Sequence, residues 1–153
     1  MSDKLLGENL LVIDTQVLLE WLLFRDTSAA RWSGALRDHA VRWIACPAMR
    51  IEFAHMAGHA RFQRWQAGCE HMLSTFDQHA LMVEDPIASQ PALRCRDPDD
   101  QVFIDLALAH GARWLLSRDK DLRALARRAA ARGLWIGPPE QWPGPDNAAP
   151  AAP

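Results

Sequence analysis

The sequence predicts an α/β domain of three layers, α/β/α, built on a central parallel sheet of four or five strands. Three observations carry this. Short apolar runs such as Leu10-Leu11-Val12-Ile13 are hydrophobic at every position, the pattern of strands buried on both faces. Longer segments of helical periodicity separate those runs, so consecutive strands are joined by helical crossovers. Pro47, Gly111 and Gly133 stand at the joints, where chain-breaking residues belong.

Leu10–Ile13 is the first strand. Val17–Phe24 reads as a largely buried helix and Ser28–Ala40 as a second. Val41–Cys46 has strand character and stops at Pro47. A long helix is expected from about Ala48, broken near Gly58 or Gly68, and Leu81-Met82-Val83 is a third short strand. Asp97–His110 is helical, with Asp97 as N-cap, Pro98 in the first turn and Gly111 as the stop. Trp114–Ser117 is a strand, Leu122–Arg132 a helix closed by Gly133, and Leu134-Trp135-Ile136 the last strand. From Pro138 the composition turns to Pro, Gly, Ala and Asn, which cannot bury a core. Residues 1–137 are therefore expected to form one domain and 138–153 a disordered tail.

Composition bounds the function classes. A chain of 153 residues with 49% hydrophobic and 24% charged residues has the makings of a globular core. A net charge of −2 favours no partner class, and a nucleic-acid enzyme with that balance must cluster its positive charge. No apolar run approaches the roughly 20 residues that span a bilayer. Met1-Ser2-Asp3-Lys4 opens no signal-peptide pattern. Cys46, Cys69 and Cys95 are odd in number and lack a Cys-x-x-Cys pair, which reads as reduced thiols in a cytoplasmic protein.

Four carboxylates stand where apolar or neutral residues are expected. Asp14 ends the first strand, Asp119 follows the run Trp114-Leu115-Leu116-Ser117, and parallel α/β sheets bind ligands beyond such strand ends. At 3.6 residues per turn, Glu52 shares a face with Met49, Phe53, Met56 and Ala60 rather than with Arg50, Arg61 and Arg64. Asp100 falls on one stripe with Phe103, Ile104, Ala107 and Gly111, whereas Asp105 lies off it. Each acid has a plainer reading. Asp14 and Asp119 fit helix caps, Asp99 and Asp100 favour a helix N-terminus, and Glu52 could pair with an arginine. Jointly, four acids without matching Lys or Arg partners point to a divalent metal ion and a metal-dependent hydrolase.

The same residues carry a family resemblance. Val12-Ile13-Asp14-Thr15-Gln16-Val17-Leu18, Pro47-Ala48-Met49-Arg50-Ile51-Glu52, the block from Arg96 to Gly111 and Leu115–Leu122 resemble the PIN-domain ribonucleases, among them the toxin halves of bacterial toxin–antitoxin pairs. The resemblance covers roughly Leu10 to Ile136. It implies that Asp14, Glu52, Asp100 and Asp119 are the catalytic, metal-binding acids, supported by Thr15, Gln16, Ser117, Asp97 and Asp105. It also implies Mg²⁺ or Mn²⁺ as cofactor, RNA as substrate, cleavage to a 5′-phosphate and a 3′-hydroxyl, and a small antitoxin protein as partner. Gln16 is a departure, because the family usually has Asn there; the assembly state is open, a homodimer included.

Oxygen donors suit Mg²⁺ and Mn²⁺, and four carboxylates could hold one ion or two. Arg118, Lys120, Arg123, Arg127 and Arg128 flank the Asp119 end and are the candidates to contact an RNA backbone, against a solvated helix face. In the dipeptides Arg31-Trp32, Arg42-Trp43, Arg64-Trp65 and Arg113-Trp114 the ordinary reading is Trp in the core and Arg in water, ahead of base stacking. His55 and His59 have i, i+4 spacing without the His-Glu-x-x-His pattern of a zinc site. No Gly-rich phosphate loop or Gly-x-Ser-x-Gly elbow occurs. Two rivals remain: a non-catalytic PIN-like module that binds RNA or protein, and a metal-dependent phosphatase, for which Gln16 stands where a second Asp is required.

Overall fold

Five short apolar runs form the sheet. In a computed structural model describing residues 9–59, 66–87 and 93–146, they are β1 (Leu10–Ile13), β2 (Arg42–Ala45), β3 (Leu81–Met82), β4 (Trp114–Leu116) and β5 (Trp135–Gly137). All neighbouring strands pair in parallel, in the order β3-β2-β1-β4-β5. Expectations for Ala60, Arg61, Arg64-Trp65, Met1–Lys4 and the chain beyond Asp146 fall outside the described residues. No described helix is long and apolar enough to cross a membrane.

The helices are α1 (Thr15–Leu22), α2 (Ala30–Arg37), α3 (Pro47–Ala57), α4 (Gln66–His79), α5 (Gln101–His110), α6 (Lys120–Arg123) and α7 (Ala126–Ala130). The chain steps from β1 through β2 to β3 in one direction and then crosses to β4 and β5 on the other side of β1. Right-handed crossovers that reverse direction place their helices on opposite faces, which yields the three layers. An aromatic row ties the first face together. Trp43 of β2 meets Trp21 of α1 at 6.2 Å and Phe76 of α4 at 4.8 Å, while Trp32 of α2 meets Trp21 and Phe53 of α3 stacks on Phe76. Trp32, Trp43 and Trp114 are fully buried beside exposed or half-buried arginines, so these three dipeptides put Trp in the core.

Of the two places expected for a break in the long helix, it falls at Gly58, and Gly68 lies inside α4. Two local expectations need correction. The single helix expected over Leu122–Arg132 is two short ones. Leu125 N–H bonds to the Leu122 carbonyl at 3.0 Å, a tight turn that sends both leucines into the core. The tail boundary at Pro138 lies too early. Pro139–Gln141 forms a 3₁₀ turn, and Trp142, 1% exposed, packs edge-on against Trp114 at 5.6 Å. Arg31 donates to the Trp142 carbonyl at 2.7 Å, which fixes this segment from α2. Composition missed it because one large aromatic can anchor a segment that is otherwise Pro- and Gly-rich.

Two glycines are dictated by geometry. Gly111 ends α5 with φ 64°, the left-handed conformation that lets its N–H cap the Ala107 carbonyl. In β5 the Trp135 ring folds over Gly137, where a Cβ would lie 2.6 Å from ring carbon. Cys46 and Cys95 are buried, Cys69 is half-buried, and all three are free thiols.

Candidate active site

Strand direction decides where the acids meet. Parallel strands present all their carboxyl ends at one edge, and the reversal of crossover direction opens a crevice between β1 and β4. Asp14 is the first residue after β1, and Ser117, Arg118 and Asp119 follow β4. Helices that return antiparallel to the strands begin at this same edge. That brings the start of α5, with Asp100, and the second turn of α3, with Glu52, to the crevice. The result is a cavity of about 380 Å³ lined by Asp14, Thr15, Gln16, Glu52, Met56, Asp100, Phe103, Arg118 and Asp119.

Three of the four acids are fixed locally. Asp14 caps α1, accepting from Val17 N–H at 3.0 Å, and its other oxygen accepts a hydrogen bond from the Ser117 hydroxyl. Asp14 N–H itself donates to the Leu116 carbonyl, which ties the two strand ends together. Ser117 Oγ also accepts from Asp119 N–H at 3.0 Å, and Asp119 caps α6 through Asp121 N–H at 2.7 Å. Glu52 accepts from Thr15 Oγ1 at 2.7 Å. The capping readings of Asp14 and Asp119 are thus correct as far as they go, since one oxygen of each is spent on a cap. Asp100 ends the Pro98–Asp100 3₁₀ turn and makes no capping bond.

Burial and mutual repulsion disturb two of the acids. Asp14 is 5% exposed, and burial pushes its carboxyl up to about 6, with the Asp119 charge adding and the Ser117 and Val17 hydrogen bonds opposing. Asp100 is pushed up to about 7 by burial, then by the charges of Asp119, Asp97 and Asp14. Its protonated form also gives Asp119 a hydrogen bond. Among the described residues, none of the four acids forms an ion pair with Lys or Arg. Arg118 lines the cavity, but its guanidinium is engaged by Glu20 and Glu140.

This donor set fits a divalent cation. Every candidate ligand is a hard carboxylate oxygen, and burial raises Asp14 and Asp100, with the charges of neighbouring acids adding to it. As the side chains stand, no group of three acids or histidines among the described residues converges into a ready cage. The four share one cavity and leave its centre open. His55 and His59, both exposed on or just after α3, take no part in such a group.

The supporting residues divide. Thr15 and Ser117 bond directly to acids of the cavity, and Gln16 lines it while remaining exposed. Asp97 accepts from Asp99 N–H at 2.9 Å and acts on Asp100 through its charge. Asp105 does not line the cavity: it accepts from Gln101 Nε2, whose amide also holds Cys95 N–H and the Leu93 carbonyl. It braces the segment entering the helix and stays apart from the acids. Lys120, Arg123, Arg127 and Arg128 are exposed on α6 and α7, outside the cavity lining. Sequence reasoning missed Glu20 and Glu140, because nothing in sequence signals ion pairs that span 98 and 22 positions.

The chain belongs to the PIN domain family, which it matches over residues 10–121. PIN domains are generally nucleases, and the family suggests nuclease-type activity for this chain. No curated protein matches the chain in sequence.

Proposed function

We propose that the protein is a divalent-metal-dependent endoribonuclease whose catalytic, metal-holding residues are Asp14, Glu52, Asp100 and Asp119. The observation that carries this reading is the meeting of all four acids at the β1/β4 crevice, two with raised carboxyls and none with a basic partner. Mg²⁺ or Mn²⁺ bound there would activate water for attack on a phosphodiester and offset the charge that builds on phosphorus.

The protein's own groups do the positioning. Ser117 and Thr15 hold one oxygen each of Asp14 and Glu52, fixing those carboxylates toward the cavity before any ligand arrives. Asp100 spends neither oxygen on a helix cap. Glu52 and Asp119 face the same space from α3 and from the strand-end loop. The cavity is open enough for a nucleotide-sized group and presents the single cation Arg118, among the described residues, at its wall.

The purified chain should cleave RNA with Mg²⁺ or Mn²⁺ and fall silent in EDTA, as read on a labelled RNA by gel. Cleavage that persists in EDTA would contradict the reading. The exposed arginines of α6 and α7 are proposed to follow the RNA backbone. Replacing Arg123 and Arg127 with Ala should weaken binding of all sequences alike and flatten the salt slope by about 1.4, at roughly 0.7 per lost single-strand phosphate contact. An unchanged slope returns them to a solvated helix face.

The resemblance to the toxin ribonucleases extends the proposal to a role: a toxin of a toxin–antitoxin pair, held inactive by a small antitoxin protein. A short neighbouring reading frame whose product binds the chain and blocks cleavage is the test of that role.

A further inference from the structure

A second charged cluster stands at the wall of the same cavity. Arg118 Nε donates to both oxygens of Glu20, at 2.8 and 2.9 Å; Nη1 donates to Glu140 at 2.7 Å and Nη2 to Ser28 Oγ at 3.2 Å. Its two acidic partners are unequal. The Glu20 side chain is 14% exposed and is gripped through both oxygens from α1, while Glu140 is 47% exposed and offers one oxygen. Glu140 sits on the Pro139–Gln141 turn, beyond the residues matched to the PIN family.

We propose that Arg118 takes a phosphate of the RNA and that Glu140 holds that phosphate's place until the RNA displaces it. The proposal rests on the nuclease reading for its substrate. A carboxylate oxygen and a phosphate oxygen make the same kind of contact with a guanidinium N–H, and Arg is suited to hold both in turn. Glu20 is the fixed anchor. Its mostly buried grip, both oxygens sharing the Nε–H, keeps the guanidinium at the cavity wall whichever anion occupies Nη1. Glu140 is the exchangeable one, since half-exposed ion pairs contribute little and its carboxylate can turn to water. The turn that carries it remains fixed by Trp142, which is buried against Trp114. Without Glu140 the wall would attract phosphates more strongly, so the acid tunes affinity downward and favours RNA that also reaches the acids.

The test measures binding, so that cleavage does not enter. A short fluorescein-labelled single-stranded RNA of mixed sequence is titrated by anisotropy into the full chain carrying Asp100→Asn, alone and with further substitutions. Glu140→Gln should tighten binding roughly threefold to tenfold and steepen the salt slope by about 0.7, because the Arg118 charge is then no longer offset by Glu140 before the phosphate arrives. Adding Arg118→Lys to Glu140→Gln should cancel that gain. Asp38→Asn makes the same charge change on an exposed residue after α2, at the opposite edge of the sheet, and should leave Kd within about twofold. Glu140→Asp, which keeps the charge but withdraws it by one methylene, should move binding in the same direction as Glu140→Gln.

Weaker or unchanged binding for both Glu140 variants would make the cluster a structural clamp and overturn the proposal. An equal gain from Asp38→Asn would also overturn it, by reducing the effect to net charge. Cleavage by the chain without Asp100→Asn is scored separately. If it is absent while the Glu140→Gln gain holds, the nuclease reading falls and the Arg118 assignment stands.

Discussion

Asp14→Asn and Asp100→Asn are each expected to lower RNA cleavage by about a thousandfold or more while leaving the fold intact. Each substitution removes one carboxylate from a set that acts as a unit, so the double variant should be little worse than either alone. The fold survives for a structural reason at position 14. An Asn oxygen still accepts from Val17 N–H, and its amide can donate to Ser117 Oγ, so the cap and the link between strand ends persist. Single-turnover cleavage and circular dichroism on the same preparations check both halves. Substantial activity in either variant would remove that acid from the catalytic set.

The second large effect is on stability. Unfolded, Asp14 and Asp100 release their protons near the ordinary aspartate value of 3.8; folded, they hold them up to about 6 and 7. Between those values the folded state carries more protons, so the metal-free protein loses stability as pH rises from about 4 to about 7. Asp14, nearly fully buried, contributes on the order of 3 kcal/mol to that loss. Asp100 is only partly buried, and water screens its repulsion, so its share is smaller than its raised value alone implies. Asn at either position cannot ionise. Metal-free Asp14→Asn should therefore melt roughly 5–10 °C above the wild type at pH 8, and the gap should close near pH 4. Melting curves in EDTA across that range read it. A gap independent of pH would mean that the ionisation of Asp14 is not what strains the crevice.

Much of this architecture is legible in sequence because the physics is local. Leu10–Ile13 and Trp114–Leu116 are apolar at every position, as a strand covered on both faces requires, and too short for a buried helix. Pro47 and Gly111 mark one helix start and one stop. The acids were legible for the same reason: Glu52 interrupts an apolar helical face, and Asp14 ends a buried strand. Their convergence is a consequence of topology, since a parallel sheet delivers every strand end and every returning helix start to one edge.

What stayed hidden depends on distant partners. Trp142 looks like part of a loose tail until Trp114 and Arg31 are seen to hold it. Arg118 reads as a free cation until Glu20 and Glu140 are placed around it. The split of α6 from α7 has no breaker residue; it follows from turning Leu122 and Leu125 inward together. Asp105 lies in the helix that Asp100 precedes, away from the cavity, and the bond to Gln101 consumes it.

The central claim is that the four acids form a site for a divalent cation, and thermal melts with and without Mn²⁺ test it without any substrate. At neutral pH, Mn²⁺ at a hundred times its Kd should stabilise the wild type by about 2.7 kcal/mol and shift Asp14→Asn and Asp100→Asn much less. If instead Mn²⁺ moves none of the melts and both substitutions destabilise the metal-free protein, the acids are structural partners and the nuclease assignment is wrong.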